Sequence, residues 1–269
     1  MKYTVNNISI SYNAEGTKAY GEDVVLLRQA LDLTAQKPWG NEGYTVEKLF
    51  NDDIEYRLFE RSVAELLYSC WRKAGLLVPA DFQLDQYHAL IKDRVQHLAA
   101  VDQTKLLSVD DFPLGIERIE KRISEISGVA LRAHNPYDEQ RVFHFRVIRP
   151  ESRDNNPLHR DVWLEDYESC INLYIPIAAS NENSSLIIFP GSHLWPESRI
   201  ERTTKGALID GVKFNVPAVT NIKGEYVVKR PDPKPNQVLV FSPYIIHGGS
   251  VNFNSDKTRI SIELRLWKV

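Results

Sequence analysis

The run TRISIELRLW, residues 258–267, alternates without a break: Ile260, Ile262, Leu264 and Leu266 fall on one side of an extended strand, and Arg259, Ser261, Glu263 and Arg265 on the other. INLYIPI, residues 171–177, repeats the pattern, with Ile171, Leu173 and Ile175 opposed to Asn172 and Tyr174. A sheet with one face in water would also satisfy this alternation. The rest of the chain, however, supplies helices that would cover the oily faces, so the polar faces are expected to line a cavity.

Around these two runs lie further short apolar or β-branched segments at 129–134, 141–149, 185–189 and 237–241, separated by clusters of Pro, Gly, Asn and Asp. That texture predicts an antiparallel sandwich or jelly roll. The first half reads differently. After a short strand at 8–12, apolar residues recur every three or four positions over 23–33, 46–74, 84–101 and 116–127, predicting helices. Tyr56, Phe59, Val63, Leu66, Leu67 and Trp71 form one stripe, Gly75 is placed to end that helix, and Asp110 or Asp111 to begin the last one. No linker separates the halves. The expected fold class is α+β in a single domain, 1–269, with 1–128 a mainly helical buttress and substrate-access region on the outside of one sheet of a β core at 129–269.

Bulk properties narrow the function. The chain has 269 residues, 43% hydrophobic and 26% charged, enough to bury a substantial core. A net charge of -3 provides no overall basic field for nucleic acid or an anionic membrane, so a small-molecule partner is expected. No apolar run approaches the roughly 20 residues of a membrane span, and the start lacks a signal-like apolar segment, which predicts a cytoplasmic protein. Cys70 and Cys170 have no paired spacing that suggests a disulfide framework or zinc knuckle. The sequence does not specify an oligomeric state.

Three pieces carry chemistry. His159 and Asp161 are two apart, so on an extended segment an imidazole and a carboxylate point the same way and can hold one metal ion. His247, followed by Gly248 and Gly249, is the candidate third ligand, the glycines permitting close approach of backbone or cosubstrate. Two histidines and one carboxylate leave about three coordination positions open, which suits ferrous iron; a closed zinc site would want four protein ligands. Twelve residues after His247, Arg259 and Ser261 share the polar face, where a guanidinium fork and a hydroxyl form a receptor for a carboxylate.

In this order, the motif at 158–161, the stretch INLYIPIAASNENSSLIIFPGSH at 171–193 and the run from His247 to Arg259 resemble the phytanoyl-CoA dioxygenase-like family of non-haem iron oxygenases, over roughly residues 142–266. The resemblance implies a double-stranded β-helix core, Fe(II) at His159, Asp161 and His247, and oxidative decarboxylation of 2-oxoglutarate to succinate and CO2, with O2 as the other cosubstrate and oxidation of a small-molecule metabolite. It implies that Arg259 and Ser261 anchor the distal carboxylate of 2-oxoglutarate and that Asn172, Tyr174 and Ser250 contact it. Retention of Asp161 argues against halogenation, since related halogenases have a small residue there. One departure is Asn183-Ser184-Ser185, where the family commonly has Asn-Gly.

Arg146 and Trp163 are candidate substrate contacts. In RVFHFRVI, His144 and Arg146 share one face and Phe143, Phe145 and Val147 the other, and the sequence leaves open which faces inward. His193 is expected to stabilise its turn, and His88 and His97 to be ordinary surface residues. Two other classes fit the same motifs: a cupin-like metalloenzyme that does not use 2-oxoglutarate, and a non-catalytic jelly-roll binding module.

Overall fold

The protein is described from a computed structural model covering residues 1–27, 32–153, 156–164, 166–249 and 251–269. Its centre is a six-stranded antiparallel sheet. The strands run in the order Tyr44–Lys48, Gln237–Phe241, Cys170–Ala178, Arg259–Lys268, and the far side of the last is shared end to end by Phe143–Ile148 and Leu131–Arg132. The two alternating runs singled out above are therefore neighbours at the middle of the sheet, with Leu264 opposite Leu173 and Glu263 opposite Tyr174.

One face of this sheet is covered by helices. Ile171, Leu173, Ile175, Val238, Val240, Ile260, Ile262, Leu264 and Leu266 form one buried cluster with residues of α1 (Asp53–Lys73), α2 (Arg94–Thr104) and α3 (Ile116–Ser127). Phe59, Val63, Leu67 and Trp71 recur every four residues along α1 and are wholly inaccessible. Phe143, Phe145 and Val147 belong to this cluster too, which sends His144 and Arg146 to the opposite face. The expectation of helices packed on the outside of one sheet is met.

A second, interrupted layer faces the other side. It contains Lys18–Tyr20, Ile200–Thr203 and Val219–Ile222, and the pair Ile187–Ile188 with His247–Gly248. Residues 158–159 join the two parts: Val219 donates its N–H to the Leu158 carbonyl at 2.8 Å, and His159 and His247 exchange both backbone hydrogen bonds at 2.8 and 3.0 Å. The hairpin Lys2–Val5 with Ile8–Ser11 covers the outer side of this layer through Tyr3, Val5 and Ile10. The layers thus face each other as a jelly-roll sandwich, and among the described residues no sheet closes into a barrel.

The helical half departs from expectation at four places. The described part of 23–33 is not helical. The segment 46–74 is a strand followed by a helix: Tyr44–Lys48 pairs edge to edge with Gln237–Phe241, and α1 begins only where the Asp52 carboxylate accepts the Ile54 N–H at 2.8 Å. The segment 84–101 is a 3-10 turn at Leu84–Leu90 and then α2, started by Asp93 accepting from the Gln96 N–H at 2.9 Å. Asp110 and Asp111 lie in a short turn capped by Ser108, and α3 starts at Ile116 after Gly115. At 44–48 a pairing partner, and at Asp52, Asp93 and Ser108 a side-chain cap, overrides a pattern that helical spacing also fits.

The α1 stripe sets a stability expectation. Phe59→Ala should destabilise the protein by about 3 to 5 kcal/mol, and Leu58→Ala, whose side chain is 51% exposed, by under about 0.5 kcal/mol, in urea unfolding.

A candidate metal centre between the layers

The backbone pairing of His159 with His247 puts both imidazoles on the inner side of the second layer, with ring centroids 4.5 Å apart. The pairing needs a close backbone crossing. A Cβ on Gly248 would sit 2.6 Å from the Pro157 carbonyl oxygen, so glycine is required there. Asp161 follows at the start of a one-turn 3-10 helix, its N–H donating to the Pro243 carbonyl at 3.0 Å. One ligand atom from each of His159, Asp161 and His247 lies within 4.8 Å of the other two, and all three residues are buried.

The hydrogen bonds fix what these atoms offer. His159 Nδ1 lies 2.7 Å from the Pro157 carbonyl and His247 Nδ1 3.1 Å from the Ile245 carbonyl. A carbonyl only accepts, so each Nδ1 carries a proton, and in the neutral ring each Nε2 presents a lone pair. Burial pushes His247 down to about 4, only partly offset by Asp161, so it is neutral at pH 7. Those lone pairs face Asp161 Oδ1 at 3.1 Å from His159 and 3.8 Å from His247. The Asp161 carboxyl is held well below its usual range: burial would raise it, but Arg265 above all, and then the histidines, outweigh burial. With both rings neutral, three electron pairs converge on one point, an arrangement that wants a cation. Ligands adjacent on an ion with bonds of about 2.1 Å stand about 3 Å apart, close to the spacing found.

Arg265 was not singled out from the sequence. Its Nε donates to Asp161 Oδ2 at 3.0 Å, leaving Oδ1 directed at the histidines, and its guanidinium stacks 4.8 Å from the Tyr167 ring. Its place on the polar face of 258–267 was the available signal. Arg160, the residue between the two metal ligands, is fully buried and ties the loop down through Glu197 Oε1 and the Ser192 carbonyl.

A small cavity of about 20 Å³ adjoins the ligands, lined by His159, His247, Asn172, Phe241, Glu263 and Arg265 among others. Asn172 is 3% exposed, and among the described residues neither atom of its amide has a hydrogen-bond partner. An unsatisfied buried amide costs about 1–3 kcal/mol. Facing this cavity, it is a group awaiting a polar ligand. Further along the sheet Arg259 is fully buried and donates from Nη1 to Ser261 Oγ at 2.8 Å, with its guanidinium 5.9 Å from the Tyr174 ring. Arg230, also absent from the sequence reading, lies nearby. Burial is the main influence holding its pKa down, to about 10; Tyr3 works against this, and the neighbouring Arg259 adds to it.

The inner face is less polar than alternation implied, because Tyr174, Leu239, Phe241, Leu186, Ile188 and Ile245 pack into an apolar cluster between the layers. Arg146 faces inward and bonds Glu263 at 2.8 Å. Trp163 donates its indole N–H to Glu197 at 2.9 Å, lies under the Arg202 guanidinium, and packs with the cluster around Tyr3 and Phe189. Ser250 lies outside the described residues. Ser184 satisfies the 181–185 turn by donating to the Ala179 carbonyl at 2.6 Å. Three other histidines differ from simple surface or turn roles: His193 reaches the Gly40 carbonyl at 2.7 Å, His97 meets the Tyr87 hydroxyl at 3.0 Å, and His88 meets Thr258 Oγ1 at 3.1 Å. Cys70 and Cys170 are both free and buried. Among the described residues no helix is long and apolar enough to cross a membrane.

No family model and no curated protein matches the chain. Similar solved structures include EctD from S. alaskensis with 2-oxoglutarate and 5-hydroxyectoine, at 15% identity and TM-score 0.48 over 96% of this chain and 86% of that one. AviO1 from Streptomyces viridochromogenes Tue57 is similar at 16% identity and TM-score 0.47, over 91% of this chain and 96% of that one. The non-haem α-ketoglutarate-dependent carbocyclase SnoK from nogalamycin biosynthesis is similar at 14% identity and TM-score 0.46, over 92% and 87%. At these identities and TM-scores the likeness carries no chemistry to this chain.

Two outcomes are expected. Arg265→Ala should weaken Mn(II) binding about 10- to 100-fold, as read by electron paramagnetic resonance, by releasing Asp161. His97, His144 and His247 are each pushed down to about 4, chiefly by burial. The unfolded chain therefore takes up protons on these groups first as the pH falls. Stability of the metal-free protein is full above the unfolded value near 6.5 and declines toward pH 4. Thermal melts at pH 7.5 and 5 should differ by at least about 4 °C, lower at pH 5.

Proposed function

We propose that this chain is an Fe(II)- and 2-oxoglutarate-dependent dioxygenase that hydroxylates a small-molecule metabolite or natural-product intermediate in the cytoplasm and releases succinate and CO2. The observation that carries this reading is the convergence of the His159, Asp161 and His247 lone pairs beside a cavity in which the Asn172 amide has no partner. Two imidazoles and one carboxylate leave positions on iron for a chelating cosubstrate and oxygen. Bound iron would supply the oxygen chemistry, with 2-oxoglutarate as the source of two electrons.

The protein's own residues bind and orient. Arg259 and Ser261 offer a buried fork and hydroxyl for the distal carboxylate of 2-oxoglutarate, with Tyr174 alongside and Ser250 a further proposed contact. Asn172 can satisfy its amide on the same cosubstrate. Arg265 holds Asp161 in its ligating orientation, and the retained carboxylate favours hydroxylation over halogenation. Phe241, 4.9 Å from the His247 ring, and the apolar cluster behind it exclude water. Arg146 and Trp163 are proposed substrate contacts. Residues 1–128 and 129–269 act as one unit, the helices supporting the sheet that carries Asn172 and Arg259.

Anaerobic Fe(II) and 2-oxoglutarate should together produce a visible metal-to-ligand absorption band, lost in His159→Ala. Arg259→Ala should weaken 2-oxoglutarate binding in that titration at least about 30-fold, from the roughly 2 kcal/mol or more that truncating a buried charge pair costs. Asn172→Ala should weaken it about fivefold. Absence of the band in iron-loaded wild type overturns the assignment, and an unchanged affinity in Arg259→Ala overturns the role of that arginine.

A further inference from the structure

A groove of about 520 Å³ runs between α2 and the edge strand Phe143–Ile148, lined by Arg94, Lys105, Arg146, Arg149 and Arg153, by His97 and His144, and, among the described residues, by no carboxylate. The whole chain carries a net charge of -3, so this concentration of positive charge is local and opposes the overall balance. Three of the cations are engaged: Lys105 with Asp102 at 2.8 Å, Arg146 with Glu263 at 2.8 Å and Arg153 with Asp210 at 3.4 Å. Among the described residues neither Arg94 nor Arg149 has an ion-pair or side-chain hydrogen-bond partner. The two histidines register the field. His97 is pushed down to about 4 by burial and then by Arg149 and Arg94, and His144 to about 4 by burial and then by Arg146 and Arg265.

The groove lies one ion pair away from the metal-side cavity. Arg146 lines it and bonds Glu263, and Glu263 lines the metal-side cavity together with Arg265, His159 and His247. The Arg146–Glu263 pair is therefore the boundary between the two spaces. A molecule with its reactive carbon at the metal and a charged tail in the groove would pass across that pair.

We propose that this groove binds a phosphoryl or pyrophosphoryl group, carried by the substrate of the metal centre. A single carboxylate needs one guanidinium. Two unengaged arginines, with Lys105 and Arg153 beside them in half-exposed ion pairs that exchange at little cost, match a compact multiply charged anion with several acceptor oxygens. Identification of the occupant as substrate rests on the oxygenase reading, whereas anion binding by Arg94 and Arg149 does not.

The test is calorimetric titration of inorganic pyrophosphate into the full-length, metal-free protein. Submillimolar binding at 50 mM salt is expected, weakened at least tenfold in Arg94→Ala/Arg149→Ala, weakened again at 500 mM salt, and unchanged in Lys213→Ala, an exposed lysine of the strand Val212–Phe214 outside the groove. Tricarballylate, a carboxylate anion of similar charge, should bind at least tenfold more weakly than pyrophosphate. No pyrophosphate binding by wild type, equal affinity in the double variant, or equal affinity for tricarballylate overturns the proposal. The double variant should keep the anaerobic iron and 2-oxoglutarate band. If wild type binds pyrophosphate as expected but lacks that band, the oxygenase reading fails and the groove's anion site stands.

Discussion

The structure turns on one constraint: two imidazole Nε2 atoms and one oxygen of an ionised carboxylate are aimed at a common point, so that with neutral rings three lone pairs face one another. Left alone, that is a repulsive arrangement, and the fold enforces it from behind. The Pro157 and Ile245 carbonyls take the Nδ1 protons, the paired backbones of His159 and His247 set the spacing, and Arg265 takes the other carboxylate oxygen. Each restraint comes from a different part of the chain. The sheet, the second layer and the 243–248 turn must all be in place before the point exists, which is why a protein of this size surrounds so small a cavity.

Much of this was legible in the sequence because strands repeat every two residues. Arg259, Ser261, Glu263 and Arg265 could be assigned to the inner face and Ile260, Ile262, Leu264 and Leu266 to the helical side before any contact was known, and the packing follows that division. His159 and Asp161 were paired by the same arithmetic and His247 by the glycines that follow it, and the structure brings the three together. What could not be read were features fixed by distant partners. Arg265 gains its role only because Asp161 happens to lie across the sandwich, and Arg230 because it folds toward Arg259. The helical half was harder for the same reason: residues 46–48 look helical by spacing until Gln237–Phe241 is available to pair with them.

Two groups of charged residues meet at one bond. Arg265 and Asp161 belong to the metal centre, while Arg94, Arg149 and their neighbours line the groove beside α2. Arg146 and Glu263 stand between them, each about a quarter exposed, and Arg146 holds the Glu263 carboxyl down to about 2 against the pull of burial in the other direction. The positive field of the groove therefore ends at a neutralised pair before it reaches the metal ligands. An anion held in the groove would be kept apart from the His159, Asp161 and His247 side chains.

The strict alternation of Arg259–Lys268 has an evolutionary side. Four of its positions face the space between the layers and the four between them hold the helices on, with the register irregular only near Ile260 and Ser261. Inserting or deleting one residue within it would exchange the two sets wholesale, turning guanidiniums toward α1 and isoleucines toward the metal. Descendants of this chain are thus free to change what they accept by substitution at every second position while the strand's length stays frozen, so its history should record altered chemistry in letters but never in gaps.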